Sequence, residues 1–308
     1  MSFQIKTLSA CALMATPAVG SAQDFSGAAT LGYGHSSISN GGGDANSYTL
    51  DGRGAFDLRN GFSIGLDGSL VYSDPDGPGD NGAVDIGAKL QYQLYSGAVF
   101  GGYLDYIDLD GSGQFGGDAD ATSYGLTGGY NGRTLQMEVN LGWTDASVSG
   151  LGSTGDWMDY GVNIAYTPTE RTKIAGHWQL SDLDTAFGST NLSSIGIGAS
   201  HDFGAGFLGF AGITRVDYDA FDIDATSYGL GVGYDLQQVS NLPGQISLEL
   251  ARTNLDAAGF GDANVDTIRL GFTMPLGNRA TSAPLNSLAD SIMSPRHNAI
   301  STLSDNVF

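Results

Sequence analysis

The chain has 308 residues, 48 of them glycine, and its aliphatic residues are scattered singly, which excludes the apolar blocks of a dry globular core and fits one large domain. Against 12 Lys and Arg stand 33 acidic residues, a net charge of −21. That balance makes nucleic acid and anionic lipid headgroups poor partners for the exposed surface and favours cations.

Residues 1–22 read as an export signal: Lys6 supplies the positive start, Leu8 to Val19 the apolar stretch, and Gly20-Ser21-Ala22 a small-residue cleavage site. Leu8 to Cys11 also fits a lipoprotein cleavage box, but the apolar segment before it is too short. Cleavage after Ala22 removes Cys11, the single cysteine, so the mature chain holds neither a disulfide nor a thiol nucleophile. Beyond residue 22 nothing approaches the roughly 18 consecutive apolar residues of a membrane helix. Entry into a membrane therefore requires strands.

Residues 23–277 repeat about ten residues of alternation followed by a turn. Tyr48, Leu50, Gly52, Gly54, Phe56 and Leu58 alternate with Thr49, Asp51, Arg53, Ala55 and Asp57; Leu135, Met137, Val139, Leu141 and Trp143 do so with Gln136, Glu138 and Asn140. Strand side chains point to opposite faces with period two, so one face is apolar and the other charged. Fourteen strands are predicted, near 25–35, 46–58, 61–73, 83–95, 97–109, 122–131, 133–145, 158–167, 170–182, 191–203, 205–218, 225–237, 243–254 and 264–276. Sixteen is the other count to weigh. Tight links at Arg59-Asn60, Ser96-Gly97, Asn131-Gly132, Pro168-Thr169 and Gly204-Ala205-Gly206 take turns with Asp-rich loops of about 7 to 13 residues. Short periplasmic turns and longer outer loops mark an outer-membrane barrel.

Aromatic residues form two belts: Tyr48, Tyr72, Tyr106, Tyr124, Trp143, Tyr160, Trp178 and Tyr228 toward the loops, and Phe56, Phe62, Phe100, Tyr130, Tyr166 and Tyr234 toward the turns. With tilted strands their separation spans roughly 15 to 26 Å, close to the thickness of the apolar band. The fold class predicted is all-β, a closed antiparallel transmembrane barrel in the cell outer membrane. Residues 278–308 change composition. Leu285, Leu288 and Ile292 fit one face of a short helix that Pro295 stops, and a periplasmic tail, a lumen plug and an envelope anchor all stay open.

The face opposite the lipid carries Asp51, Arg53, Asp67, Asp85, Lys89, Gln91, Asp105, Glu138, Lys173, His177, Glu249 and Arg269, with Gln93, Gln136, Asn140 and Gln179 among them. Isolated buried charges cost several kcal/mol each, so such a wall needs water inside. Barrels wider than eight strands leave room for it, and an acid excess favours cations. Opposite charges that pair across the lumen and only hold its shape are the competing expectation. Asp108, Asp110, Asp118 and Asp120 suit oxygen coordination of Ca²⁺, the one cofactor the sequence admits, although no Glu completes an EF-hand. Hydrated turn residues explain the same acids. His35, His177, His201 and His297 are dispersed and no nucleophile groups with them, so an enzyme is not expected; His177 with Glu138 or another lumen acid is the pairing left open.

The run Ala225-Thr226-Ser227-Tyr228-Gly229-Leu230-Gly231-Val232-Gly233-Tyr234-Asp235-Leu236 resembles the hairpins of alphaproteobacterial general porins, as does the style of Ser194 to Phe203. The resemblance implies a channel for passive diffusion of small hydrophilic solutes, and in that family usually a trimer. Two departures stand against it: fourteen strands in place of sixteen, and some 31 residues after the last strand where such porins commonly end on Phe. A monomer and a homotrimer are both open. The partners expected are outer-membrane lipid, lipopolysaccharide and small solutes. The rival function is a non-conducting structural or adhesive barrel whose acidic loops bind divalent cations, lipopolysaccharide or a partner.

Overall fold

The structure is a computed structural model and describes residues 24–39, 43–76, 79–111, 118–148, 152–185, 188–219, 222–257, 262–277, 282–299 and 301. The expected export signal, residues 1–22, lies outside the described residues, as does Phe308. Fourteen strands follow in order: β1 Asp24–Ile38, β2 Gly43–Asp57, β3 Phe62–Pro75, β4 Asn81–Gln93, β5 Ala98–Gly111, β6 Ala119–Asn131, β7 Leu135–Val148, β8 Gly152–Thr169, β9 Thr172–Thr185, β10 Gly188–Gly204, β11 Phe207–Tyr218, β12 Ile223–Asp235, β13 Gln245–Ala257 and β14 Ala263–Gly277. Each pairs antiparallel with its sequence neighbours, and β1 pairs with β14, so the sheet closes on itself. Closure leaves no unpaired edge, as hydrocarbon demands of every backbone amide and carbonyl.

The period-two pattern decides which face meets lipid. Leu31, Leu66, Leu90, Leu104, Leu126, Ile195, Ile197, Leu230, Leu248 and Leu270 all point outward and exposed. Aromatic rings flank that band and meet across neighbouring strands. Tyr48 lies 5.5 Å from Tyr33 and 6.4 Å from Tyr72 at the loop end, and Phe25 lies 4.8 Å from Phe56 at the turn end.

Two turns sit elsewhere than the sequence suggests. β6 continues through Asn131, and β8 through Thr169 so that Thr169 pairs with Thr172 and the turn is Glu170-Arg171. Pro168 has no N–H for the ladder and falls in the register irregularity between Tyr166 and Thr169. At the loop end the strands run on past the apolar band, because ladder hydrogen bonds form whatever the side chains are; β9 ends at Thr185 and β10 already starts at Gly188. At the turn end, residues 236–244 make a longer link containing a 3₁₀ turn, Leu236–Gln238, capped by Asp235, whose carboxylate accepts from the Gln237 amide at 3.0 Å.

Candidate functional site: a filled lumen

The inward positions of the strands are polar. Thr30, Asp85, Asp105, Thr127, Thr144, Asp159, Gln179, Ser181, Thr214, Glu249, Arg269 and Thr273 are all buried there. Many bond to each other along the wall: Thr30 meets Thr273 at 2.9 Å, and Ser69 donates to Asp51 at 2.7 Å. Asp159 accepts from both Thr144 and Ser181.

What buries them is the chain's own C-terminal segment. β14 ends beside β1, with Gly277 opposite Ser26. From residue 282 the chain crosses the lumen, carrying the helix α1, Leu288–Met293, which packs against β9, β10, β11 and β12. Ser287 caps this helix by accepting from the Asp290 amide. Its seat is made by inward glycines: a Cβ on Gly212 would stand 2.7 Å from Ile292 Cδ1, and one on Gly229 only 3.1 Å from Leu288 Cβ. Leu288, Ala289 and Ile292 are thereby removed from water, with Met293 packed beside Ala175 and Phe210.

Charged pairs fix the rest of the segment around the barrel. Asp290 bridges Arg53 at 3.0 Å, and the Leu288 amide donates to Glu249, which also takes Arg269 at 3.1 Å. Arg296 reaches Asp67, with Asp85 at 3.5 Å. Its carbonyl accepts from Gln179. His297 stacks on Tyr103 with ring centres 3.9 Å apart, bonds Asp105 at 2.8 Å and lies 3.5 Å from Glu138. Glu138 also takes Lys89 and Gln91, at 2.8 and 2.9 Å.

Burial works against a charged imidazole, yet the hydrogen bonds to Asp105 and Glu138 outweigh it and hold the His297 pKa above the usual histidine value. Between the segment and β2 to β4 remains a cavity of about 50 Å³, lined by Asp51, Arg53, Asp67, Asp85, Asp290 and Arg296. It has room for a few waters and no more.

The inward residues predicted from the sequence are thus spread around one lumen and drawn together by residues 282–299. Lys173 also sits on this wall, half-buried. The pairing of His177 with Glu138 is not what forms. His177 bonds Ser194 at 3.0 Å and faces the Ile292 carbonyl at 3.4 Å, and the imidazole beside Glu138 is that of His297, because the segment lies between them. His35 bonds Asn46, and His201 bonds Thr172.

No family model and no curated protein matches the chain. Among solved structures it is similar to the anion-selective porin from Comamonas acidovorans, with 13% identity, 83% of this chain and 100% of that chain covered, and a TM-score of 0.50. The fold is porin-like. A Pseudomonas aeruginosa FadL homologue aligns with 10% identity over 82% of this chain and 90% of its own, at a TM-score of 0.48. A mutant of the Rh. blastica porin aligns with 13% identity over 83% and 100%, at 0.40. The 13% identity to the Comamonas porin reaches the fold and stops short of the alphaproteobacterial family that the hairpins resemble.

Two further features distinguish this porin-like barrel. Toward the loop end the inward face of β5 to β12 turns apolar, where Ile107, Ala121, Trp157, Leu183, Leu192 and Val216 form a cluster that Ala299 joins. The sequence shows these as apolar residues on the polar phase of the alternation, a signal masked by assigning each whole strand face one character. On the outside, Asp108 and Asp120 face each other in register and take hydroxyl donors from Tyr106 and Ser147. Among the described residues no group of three or more His, Cys, Asp or Glu is placed to hold a metal. Part of the loop between Asp110 and Asp118 lies outside the described residues.

Proposed function

We propose that the chain is an outer-membrane channel of a Gram-negative cell, through which small hydrophilic solutes diffuse passively with a modest preference for cations. The observation that carries this is the polar, charged inner wall of a wide closed barrel. A barrel meant only to be packed tolerates apolar fill, whereas carboxylates, guanidinium groups and hydroxyls facing inward on nearly every strand are served by water. Asp51, Asp67, Asp85, Asp105, Glu138, Asp159 and Glu249 outnumber Arg53, Lys89, Lys173 and Arg269 on that wall, which supports cation preference. Anion selectivity is said of the Comamonas protein, and the acid excess here argues for the opposite sign. The outward Asp residues beyond the aromatic belt, Asp108 and Asp120 among them, suit divalent ions bridging to lipopolysaccharide.

The test is single-channel recording in planar bilayers. Stepwise ohmic conductance is expected, with a reversal potential displaced toward the cation in a salt gradient. Silence from barrels shown to be folded by their heat-dependent gel shift removes the reading. A second reading, a non-conducting structural barrel, is favoured by the segment across the lumen. It predicts that silence under every condition.

A further inference from the structure

We propose that residues 282–299 are a gate in cis, an autoinhibitory segment that closes the lumen when seated and leaves it when the barrel conducts. This rests on the channel reading above. Three observations carry it.

First, the barrel is complete without the segment. β1 pairs β14 along thirteen residue pairs, from Ser26 with Gly277 to Ile38 with Val265, and the segment contributes no strand. Withdrawal breaks no ladder hydrogen bond.

Second, the two surfaces in contact are each suited to water. Asp67, Asp85, Asp105 and Glu138 on the wall, and Asp290, Arg296 and His297 on the segment, exchange each other for solvent when they part. A permanent core element is held by apolar burial, as charges confined to a dry interior gain little net stability from pairing. Here the apolar contribution comes from one short helix on a glycine-lined seat and from small residues beside it, Ala283 and Ala299. Ordering the whole segment opposes it, since fixing each residue costs conformational entropy. The seated state is therefore a balance that modest changes tip.

Third, the seated segment spans the lumen: Leu288, Ala289 and Ile292 are buried against β9 to β12, while Arg296 and His297 reach Asp67, Asp85 and Asp105 on β3 to β5. Segment and solute therefore compete for one space.

The geometry supplies a lock. A Cβ on Gly198 lies 3.4 Å from the Cβ of Ile292, near the roughly 3.5–4.5 Å spanned by a disulfide. The full-length Gly198→Cys/Ile292→Cys chain, recorded in planar bilayers, is expected to open at least about tenfold less often when oxidised than after reduction. A second full-length chain, Arg296→Gln/His297→Gln, weakens the seat without touching the barrel ladder and is expected to open at least about tenfold more often than the unaltered protein, equivalent to about 1.4 kcal/mol of seating.

If the oxidised chain, its disulfide verified by mass, conducts as freely as the reduced one, the segment is no gate although the barrel is a channel. The gate is equally overturned if the Arg296→Gln/His297→Gln chain opens no more often than the unaltered one. If the reduced and weakened chains are both silent as folded barrels, the channel reading falls and the gate with it.

Discussion

Ile292→Ala separates the segment from the barrel most cleanly. Ile292 is fully buried, with its side chain against Gly196, Gly198 and Gly212 of the wall. Truncating a buried isoleucine to alanine costs about 2–5 kcal/mol. The lower end of that range sets the smallest effect to expect. About 2 kcal/mol corresponds to roughly a thirtyfold shift toward the unseated state. Hydrogen exchange followed by mass spectrometry in detergent reads this directly: amides of 282–301 are expected to exchange about thirtyfold faster, while peptides of β9 to β12 keep their protection. The reasoning is refuted if the segment exchanges at its original rate. It is equally refuted if the strands lose protection in parallel, since the helix would then be part of the barrel's own stability.

Three other outcomes follow from the same geometry. His297 has its pKa raised by its seat, so protonation and seating reinforce each other. That stabilisation is complete below the ordinary histidine pKa of about 6.5 and lost as pH rises through the raised value. The protection of amides 282–299 relative to their intrinsic exchange rate should therefore fall on going alkaline, and His297→Asn should flatten that profile. In Gly212→Leu a side chain enters the place of Ile292 Cδ1, and the helix should be expelled while the heat-dependent gel shift of the barrel persists. Asp67→Asn together with Asp85→Asn removes two wall carboxylates that face Arg296; reversal potentials in a salt gradient should move toward zero.

The strands and their two faces were legible because period two is a local property. The residues that decide it, such as Leu135 against Gln136 or Leu248 against Glu249, sit side by side in the chain. The C-terminal segment was illegible for the opposite reason. Arg296 is matched by Asp67 and His297 by Asp105, partners separated by most of the sequence, and no spacing announces them. Leu288 and Ile292 announced a helix face without saying what it would meet, and Leu285, read as part of the same face, lies in the turn before the Ser287 cap. The seat of the helix is encoded by glycines on β10 to β12, which also occur for strand-packing reasons. The apolar inner cluster around Trp157 was missed because a barrel face can change character along its length.

The position of the last strand bears on how the molecule is made. β1 and β14 close the sheet, and only then do β2, β3, β4, β5, β7, β9, β11 and β13 present Arg53, Asp67, Asp85, Asp105, Glu138, Gln179, Gly212 and Glu249 to one space. Before closure residues 282–299 have no complete partner. Synthesis order and folding order therefore agree: the chain finishes its wall, and the part made afterwards is the part that docks last.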